Sequence, residues 1–265
     1  MQIISDIAAL RRAAAAAAPL AFVPTMGNLH AGHLSLVRLA RSHARAVAVS
    51  IFVNRLQFQP SDDFERYPRT FERDCAMLEA EGVDLLFAPD EKVLYPEPQA
   101  FKVRPGPLGE ALEGRFRPGF FEGVATVVLK LFNCVQPIAA VFGKKDYQQL
   151  RIVQAMVHQL DLPIEIVAGE TVREPDGLAM SSRNGYLSSA EREEAPHLYR
   201  ILQQVARGVP AEQAWRELAQ AGWQPDYVEV RRRGDLALPQ TGDAERVVLG
   251  AARLGSTRLI DSLEF

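Results

Sequence analysis

The sequence predicts an α/β protein: a doubly wound, Rossmann-like parallel sheet followed by a smaller α+β domain. Over roughly the first 170 residues, short apolar runs alternate with amphipathic helical stretches, a spacing that requires crossover connections and therefore a parallel sheet. After Gly169 the alternation stops, and helical stretches give way to β-like runs separated by turn residues, the pattern of hairpins. The chain has 265 residues, more than one typical domain of about 150 residues and fewer than two. These observations divide it into an N-terminal domain, 1–170, and a C-terminal domain, 171–265.

Ser5 or Asp6 can cap a first helix that runs through the alanine tract 13–18 and stops at Pro19. An apolar strand follows over 20–23. A polar, glycine-containing turn then leads to a helix with Leu34, Val37 and Leu39 on its apolar face, closing near Arg45. Further strands are expected at 46–53, 83–87, 138–142 and 164–167, with helices at 69–81, 121–134 and 145–160. In the C-terminal part, 188–207 and 211–221 read as two helices, and 227–231, 246–252 and 257–260 as strands.

Composition narrows the function classes. With 48% hydrophobic and 24% charged residues, the chain can bury its own core. Thirty basic and 33 acidic residues leave a net charge of −3, which excludes bulk attraction to nucleic acid or anionic lipid. Any polyanion must be held by a few placed cations. Lysine is scarce: Lys92, Lys102, Lys130, Lys144 and Lys145 are the whole set, and two are adjacent. Cys75 and Cys134 form no CxxC pair and suit a reducing compartment. With no signal-peptide pattern and no apolar run long enough to span a bilayer, a cytoplasmic location is expected.

Three segments carry chemistry. Pro24 to His33 reads PTMGNLHAGH and places His30 and His33 three apart where the first strand meets its helix. Unpaired backbone N–H groups at a helix start favour anions, Gly27 and Gly32 allow close approach, and two imidazoles can donate to phosphate oxygens. Phe142 to Gln149 reads FGKKDYQQ: Gly143 permits approach, a lysine can neutralise phosphate, and Asp146 can cap the helix or meet a ribose hydroxyl or the shell of Mg²⁺. Leu178 to Asn184 reads LAMSSRN, offering two hydroxyls and an arginine to leaving pyrophosphate. Neither GxGxxG nor GxxxxGK[ST] is present, so a different nucleotide device is at work.

The histidine pair and the serine loop resemble the HIGH-type and KMSKS-type signatures of the nucleotidyltransferase superfamily. Together with SIFVNRLQF, DDFERYPRT, FEGVATVVLKLFN and AARLGSTRLID, they resemble the pantoate–β-alanine ligase family over nearly the whole length. The resemblance implies ATP-dependent joining of pantoate to β-alanine through a pantoyl adenylate, with Mg²⁺ accompanying ATP, small-molecule substrates only, and a homodimer. It implies that Met26, Gly27, Asn28, Leu29, His30, Ala31, Gly32 and His33 form the ATP loop, with His33 the general acid and His30 its partner on the phosphates. Gly143, Lys144, Lys145, Asp146, Met180, Ser181, Ser182 and Arg183 would be further ATP residues, with Lys145 and Arg183 acting in catalysis and the Val172 backbone touching adenine. Gln57 and Gln149 would bind pantoate, Gln57 also lying near β-alanine. The alternative is another HIGH-type nucleotidyltransferase that adenylylates a small acid or phosphate, which has no need of the two glutamines. The site is expected to form between the two domains and to close as the smaller one moves.

Three residues depart from the family's usual pattern. Arg55 stands for Pro, Phe120 for His and Lys144 for Glu, the last adding charge beside the phosphates. His43, His158 and His197 read as surface or packing residues without partners, and Arg231 to Arg233, beside Asp226, Glu229 and Asp235, as a solvated strand end.

Overall fold

The computed structural model describes residues 1–59 and 64–265. Asp62 and Asp63, which open the DDFERYPRT stretch, lie outside the described residues. The chain forms two compact units, Met1–Gly143 with Ile152–Gly169, and Lys144–Arg151 with Glu170–Phe265.

The first unit is built on a six-stranded parallel sheet in the order β1-β4-β3-β2-β5-β6. Its strands are β1 (Gln2–Ile4), β2 (Leu20–Thr25), β3 (Ala46–Ile51), β4 (Leu85–Phe87), β5 (Ala139–Gly143) and β6 (Glu165–Gly169). The helices are α1 (Ile7–Ala17), α2 (Ala31–Arg41), α3 (Phe71–Ala80), the short α4 (Glu91–Leu94) and α5 (Glu113–Phe116), and α6 (Phe120–Val135). Asp6 caps α1 by accepting from Ala9 N at 2.8 Å, as its position before the alanine tract predicts. Ala21, Val23, Val47, Val49 and Leu86 are buried in one core cluster with Val37 and Ala40 of α2. Near-continuous apolar strands are what a sheet covered on both faces requires. From β2 the chain adds β3 and β4 on one side and later β5 and β6 on the other. The topological switch point therefore lies between β2 and β5, where such sheets bind ligands.

The second unit is α+β. Strands β7 (Gln224–Arg232), β8 (Arg246–Leu254) and β9 (Thr257–Glu264) form an antiparallel meander. Helices α8 (Ser189–Glu194), α9 (His197–Ala206) and α10 (Ala211–Gln220) precede it. Leu198, Ile201, Leu202 and Val205, spaced on one face of α9, share a core with Leu218, Trp223, Val248 and Leu259. Each such side chain stabilises by roughly 1.5–3 kcal/mol on full burial. Helix α7 (Tyr147–Gln159) starts in this unit and ends in the first.

Several boundaries differ from expectation for physical reasons. Residues 188–207 are two helices, because Pro196 cannot continue the hydrogen-bond ladder of the first. Residues 144–146 form a 3-10 turn before α7. β2 runs through Pro24 to Thr25, and its pairing with β5 has ended by then at Phe22. α2 stops at Arg41 and β3 at Ile51. β1, only three residues long, is set by its pairing with β4 rather than by any local pattern.

Candidate active site

The loop between β2 and α2 leaves the sheet beside the switch point. Gly27 (φ 81°) and Asn28 (φ 51°) both take left-handed backbone, which glycine adopts freely and asparagine tolerates. A Cβ on Gly27 would also lie 3.1 Å from Ile51 Cγ2 and 3.2 Å from Asp74 Oδ2. The turn is therefore closed to larger residues by conformation and by space.

Several backbone donors of this loop are engaged within the protein. Gly27 N donates to Thr25 Oγ1 at 3.2 Å. Asn28 N and Leu29 N donate to the two oxygens of Asp74 at 2.8 and 2.9 Å. His30 N donates to His33 Nδ1, Gly32 N to His30 Nδ1 and His33 N to His30 O. A turn packed this closely must satisfy its own polar groups.

His30 and His33 form a reciprocal capping box at the start of α2, their ring centroids 4.1 Å apart. Because each Nδ1 accepts a backbone N–H, the hydrogen bonds assign the ring proton to Nε2 in both. The cap thereby makes each imidazole an Nε2–H donor, the form suited to phosphate oxygen.

Gln57 ends a 3-10 turn, Arg55–Gln57, and is 9% exposed. Tyr95 Oη donates to Asn54 Oδ1 at 2.8 Å, Asn54 Nδ2 to Gln57 Oε1 at 3.0 Å, and Gln57 Nε2 points to Met26 Sδ at 3.2 Å. The relay fixes which end of the Gln57 amide faces Met26. Burial pushes the Tyr95 hydroxyl pKa up, with Glu91 adding to the shift, so the phenol stays a donor. Gly123 on α6 lets this turn pack closely: a Cβ there would collide with Leu56 O and lie 2.7 Å from Gln57 N. Nothing in the sequence singles out Asn54; its role emerges only when the turn meets α6, where it also donates to Gly123 O.

The remaining expected residues fall in the second unit, apart from Gly143, which ends β5 in the first. Lys145, Ser181, Asn184, Tyr199 and Asp261 line one small cleft. Lys145 Nζ is 3.7 Å from Asp146 Oδ2, and Gln149 lies half-buried on the first turn of α7. Val172 O accepts from Met180 N at 3.0 Å, joining the expected adenine contact to the serine loop. Ser181 caps the 3-10 turn Ser182–Tyr186 by accepting from Arg183 N. The loop is pinned by a residue that sequence reasoning missed. Arg173 makes a bidentate pair with Asp261 of β9, at 2.5 and 3.0 Å, donates to Gly177 O and Ser262 O, and stacks on Tyr199.

The family profile for pantoate-beta-alanine ligase matches residues 2–264. The chain belongs to the pantoate-beta-alanine ligase family. It is 59% identical to a pantothenate synthetase of Nitrosospira multiformis, covering 100% of this chain and 98% of that one. A Nitrosomonas europaea pantothenate synthetase is 55% identical over 99% and 98%. Among solved structures, the Thermus thermophilus pantothenate synthetase aligns with a TM-score of 0.92 at 46% identity, over 99% of each chain. A Francisella tularensis pantoate-beta-alanine ligase, complexed with beta-gamma ATP and beta-alanine, aligns with a TM-score of 0.88 at 34% identity, over 99% and 97%.

Each departure from the usual residues of pantoate-beta-alanine ligases has local partners. Arg55 is held by Glu91 at 3.1 Å and lies over the Phe64 ring. Phe120 carries the Arg117 guanidinium 3.8 Å above its ring, and Arg117 donates to Gln57 O at 3.2 Å. Lys144 is gripped by Glu170 at 2.5 Å and Glu264 at 2.9 Å, which offset its charge inside the second unit. Among the other histidines, His197 has partners after all, Glu194 at 2.7 Å and Glu217 at 3.5 Å, and His43 lies 3.5 Å from Glu165. Arg231 and Arg232 pair with Glu229 and Asp235, but Arg231 is buried, which corrects the expectation of a solvated strand end.

Proposed function

We propose that this chain condenses (R)-pantoate with β-alanine, using Mg·ATP. A pantoate carboxylate oxygen attacks the α-phosphorus, the bond to the β-phosphate oxygen breaks, and pyrophosphate leaves. The β-alanine nitrogen then attacks the acyl carbon of pantoyl adenylate and loses a proton as the bond to AMP breaks, giving pantothenate. The match to pantoate-beta-alanine ligases over the whole chain carries this reading. The fixed Gln57 relay favours it over a nucleotidyltransferase that stops at an adenylylated product, which has no small acid of this kind to orient.

In this reading Met26 to His33 receive ATP, and the Nε2–H groups of His30 and His33 donate to its phosphates. His33 serves as the general acid, with His30 its partner on the phosphates. Lys145 and Arg183, with Ser181 and Ser182, offset charge on leaving pyrophosphate. Gly143, Lys144, Asp146 and Met180 complete the nucleotide segments, Lys144 through its backbone, and the Val172 backbone meets adenine. Gln57 and Gln149 orient pantoate through amide donors and acceptors, Gln57 serving β-alanine as well. Magnesium would enter on the phosphates, with Asp146 the carboxylate offered to its water shell. No described helix is long and apolar enough to cross a membrane. We assign the protein to the cytoplasm as a homodimer acting on small molecules, with roles divided between residues 1–170 and a smaller lid domain, 171–265.

The test is direct. Enzyme is given Mg·ATP and pantoate, then β-alanine, while pyrophosphate and AMP are followed. Pyrophosphate release should need pantoate, and AMP release both substrates; AMP without both refutes the ligase reading. His33→Ala and Lys145→Ala should each lower adenylate formation about 10²–10³-fold with the fold intact.

A further inference from the structure

Asp74 sits in the first turn of α3, outside every segment assigned to ATP or pantoate, yet it is 0% exposed and faces the nucleotide loop. Its two oxygens are divided between successive backbone donors 45 and 46 residues away, Oδ1 taking Leu29 N at 2.9 Å and Oδ2 taking Asn28 N at 2.8 Å. Thr70 Oγ1 donates to Oδ1 at 3.0 Å. Arg73 lies 3.7 Å from the same oxygen and reaches the loop itself, donating to Asn28 Oδ1 and Leu29 O. A buried carboxylate without such partners would be strongly disfavoured. Here its partners are the backbone of the left-handed turn at Gly27 and Asn28.

We infer that Asp74 is a positioning residue for the adenylation step: it clamps the Gly27–Leu29 turn and so sets where the His30 and His33 rings stand. This rests on the reading of Met26 to His33 as the ATP loop. The chemistry of the pair is selective. The carboxylate offers an acceptor to each N–H, whereas an amide of the same shape must turn an NH₂ toward one of them. The turn then has one donor facing another and must move, and displacements of about 1 Å at a reacting group cost about 10²-fold in rate.

The expected result for Asp74→Asn is a fall of about 10²-fold in kcat/KM for Mg·ATP in pyrophosphate release. Attack of β-alanine on preformed pantoyl adenylate should change by less than about threefold, because the β- and γ-phosphates take no part in it. Amide hydrogen exchange at Asn28 and Leu29 should lose protection. Thr70→Val, which keeps shape and removes one hydrogen bond to Asp74, should lower the same kcat/KM about fivefold and decides the matter if Asp74→Asn does not fold. A purely structural role would lower both half-reactions together, and that result, or unchanged exchange at both amides, overturns the inference. If His33→Ala abolishes adenylation while both clamp variants are normal, the inference alone fails. If unaltered enzyme releases no pyrophosphate with pantoate and Mg·ATP, the ligase reading fails and takes the clamp with it.

Discussion

Asn54 Nδ2 donates to Gln57 Oε1 at 3.0 Å from a position 1% exposed. The bond decides that Gln57 turns its NH₂ toward Met26. Replacing Asn54 by Asp puts an acceptor where the donor was, so the Gln57 amide should flip and present its oxygen to an anionic acid. The expected outcome is a higher KM for pantoate by about 1–3 kcal/mol, roughly 5- to 150-fold, with KM for ATP little changed. Initial-rate kinetics at saturating ATP check it.

Gly123→Ala tests the packing beneath that turn. The added methyl would collide with Leu56 O and crowd Gln57 N, and backbone cannot yield as a flexible side chain does. Overpacking of this kind costs about 1–3 kcal/mol. Thermal unfolding should show that loss, and KM for pantoate should rise in the same variant. Glycine at the exposed position 185, where a Cβ meets nothing within 4 Å, provides the control: Gly185→Ala should leave stability within about 0.5 kcal/mol.

Part-buried Arg173 and buried Asp261 form a pair that ties the serine loop to β9. Asp261→Ala leaves a part-buried guanidinium without its carboxylate, at a cost below the ~3–5 kcal/mol of a fully buried pair. Arg173→Lys keeps the charge but loses the fork that reaches Asp261, Gly177 O and Ser262 O together. Both variants should lower the denaturant midpoint and slow adenylate formation; an unaltered rate in a destabilised Arg173→Lys would separate the pair from catalysis.

Stability should decline in acid partly through Glu264. Burial pushes its carboxyl up, but hydrogen bonds from Lys144 and Tyr147 and the Lys144 charge outweigh it, holding the folded value below the ordinary 4.5. Its stabilisation is therefore present above 4.5 and lost as pH falls through the folded value. Because the group is partly solvated, the amount is below about 1 kcal/mol. Glu264→Gln should flatten the drop in unfolding midpoint as pH falls below about 4.5.

The parts legible in the sequence are those where a local pattern and the tertiary solution agree. Val47 and Val49 sit in an apolar run and are buried in a central strand, and His30 and His33 stand where a HxxH at a strand end should. What the sequence hides is held by distant partners. Asp74 looks like an ordinary first-turn acid of α3, and only contact with a loop 45 residues earlier gives it meaning. Asp261 and Arg173, 88 residues apart, are likewise unremarkable until β9 meets the serine loop. The histidine pair was legible as a donor set, but not as the cap that occupies the loop's own N–H groups, because a side chain's choice between backbone and ligand depends on ring orientation.

The chain passes between its two units at Gly143, Arg151 and Gly169. Lys144 and Tyr147, reached by the first passage, bind Glu264 at the chain's end, Ser262 Oγ donates to Lys144 O, and Arg151 donates to Gly234 O. The C-terminal unit thus carries a patch of polypeptide encoded upstream of a strand belonging to the other. A gene split at residue 170 would yield no self-sufficient second half, and that half could not be traded between proteins as a cassette. The two units must be inherited, and engineered, as one piece.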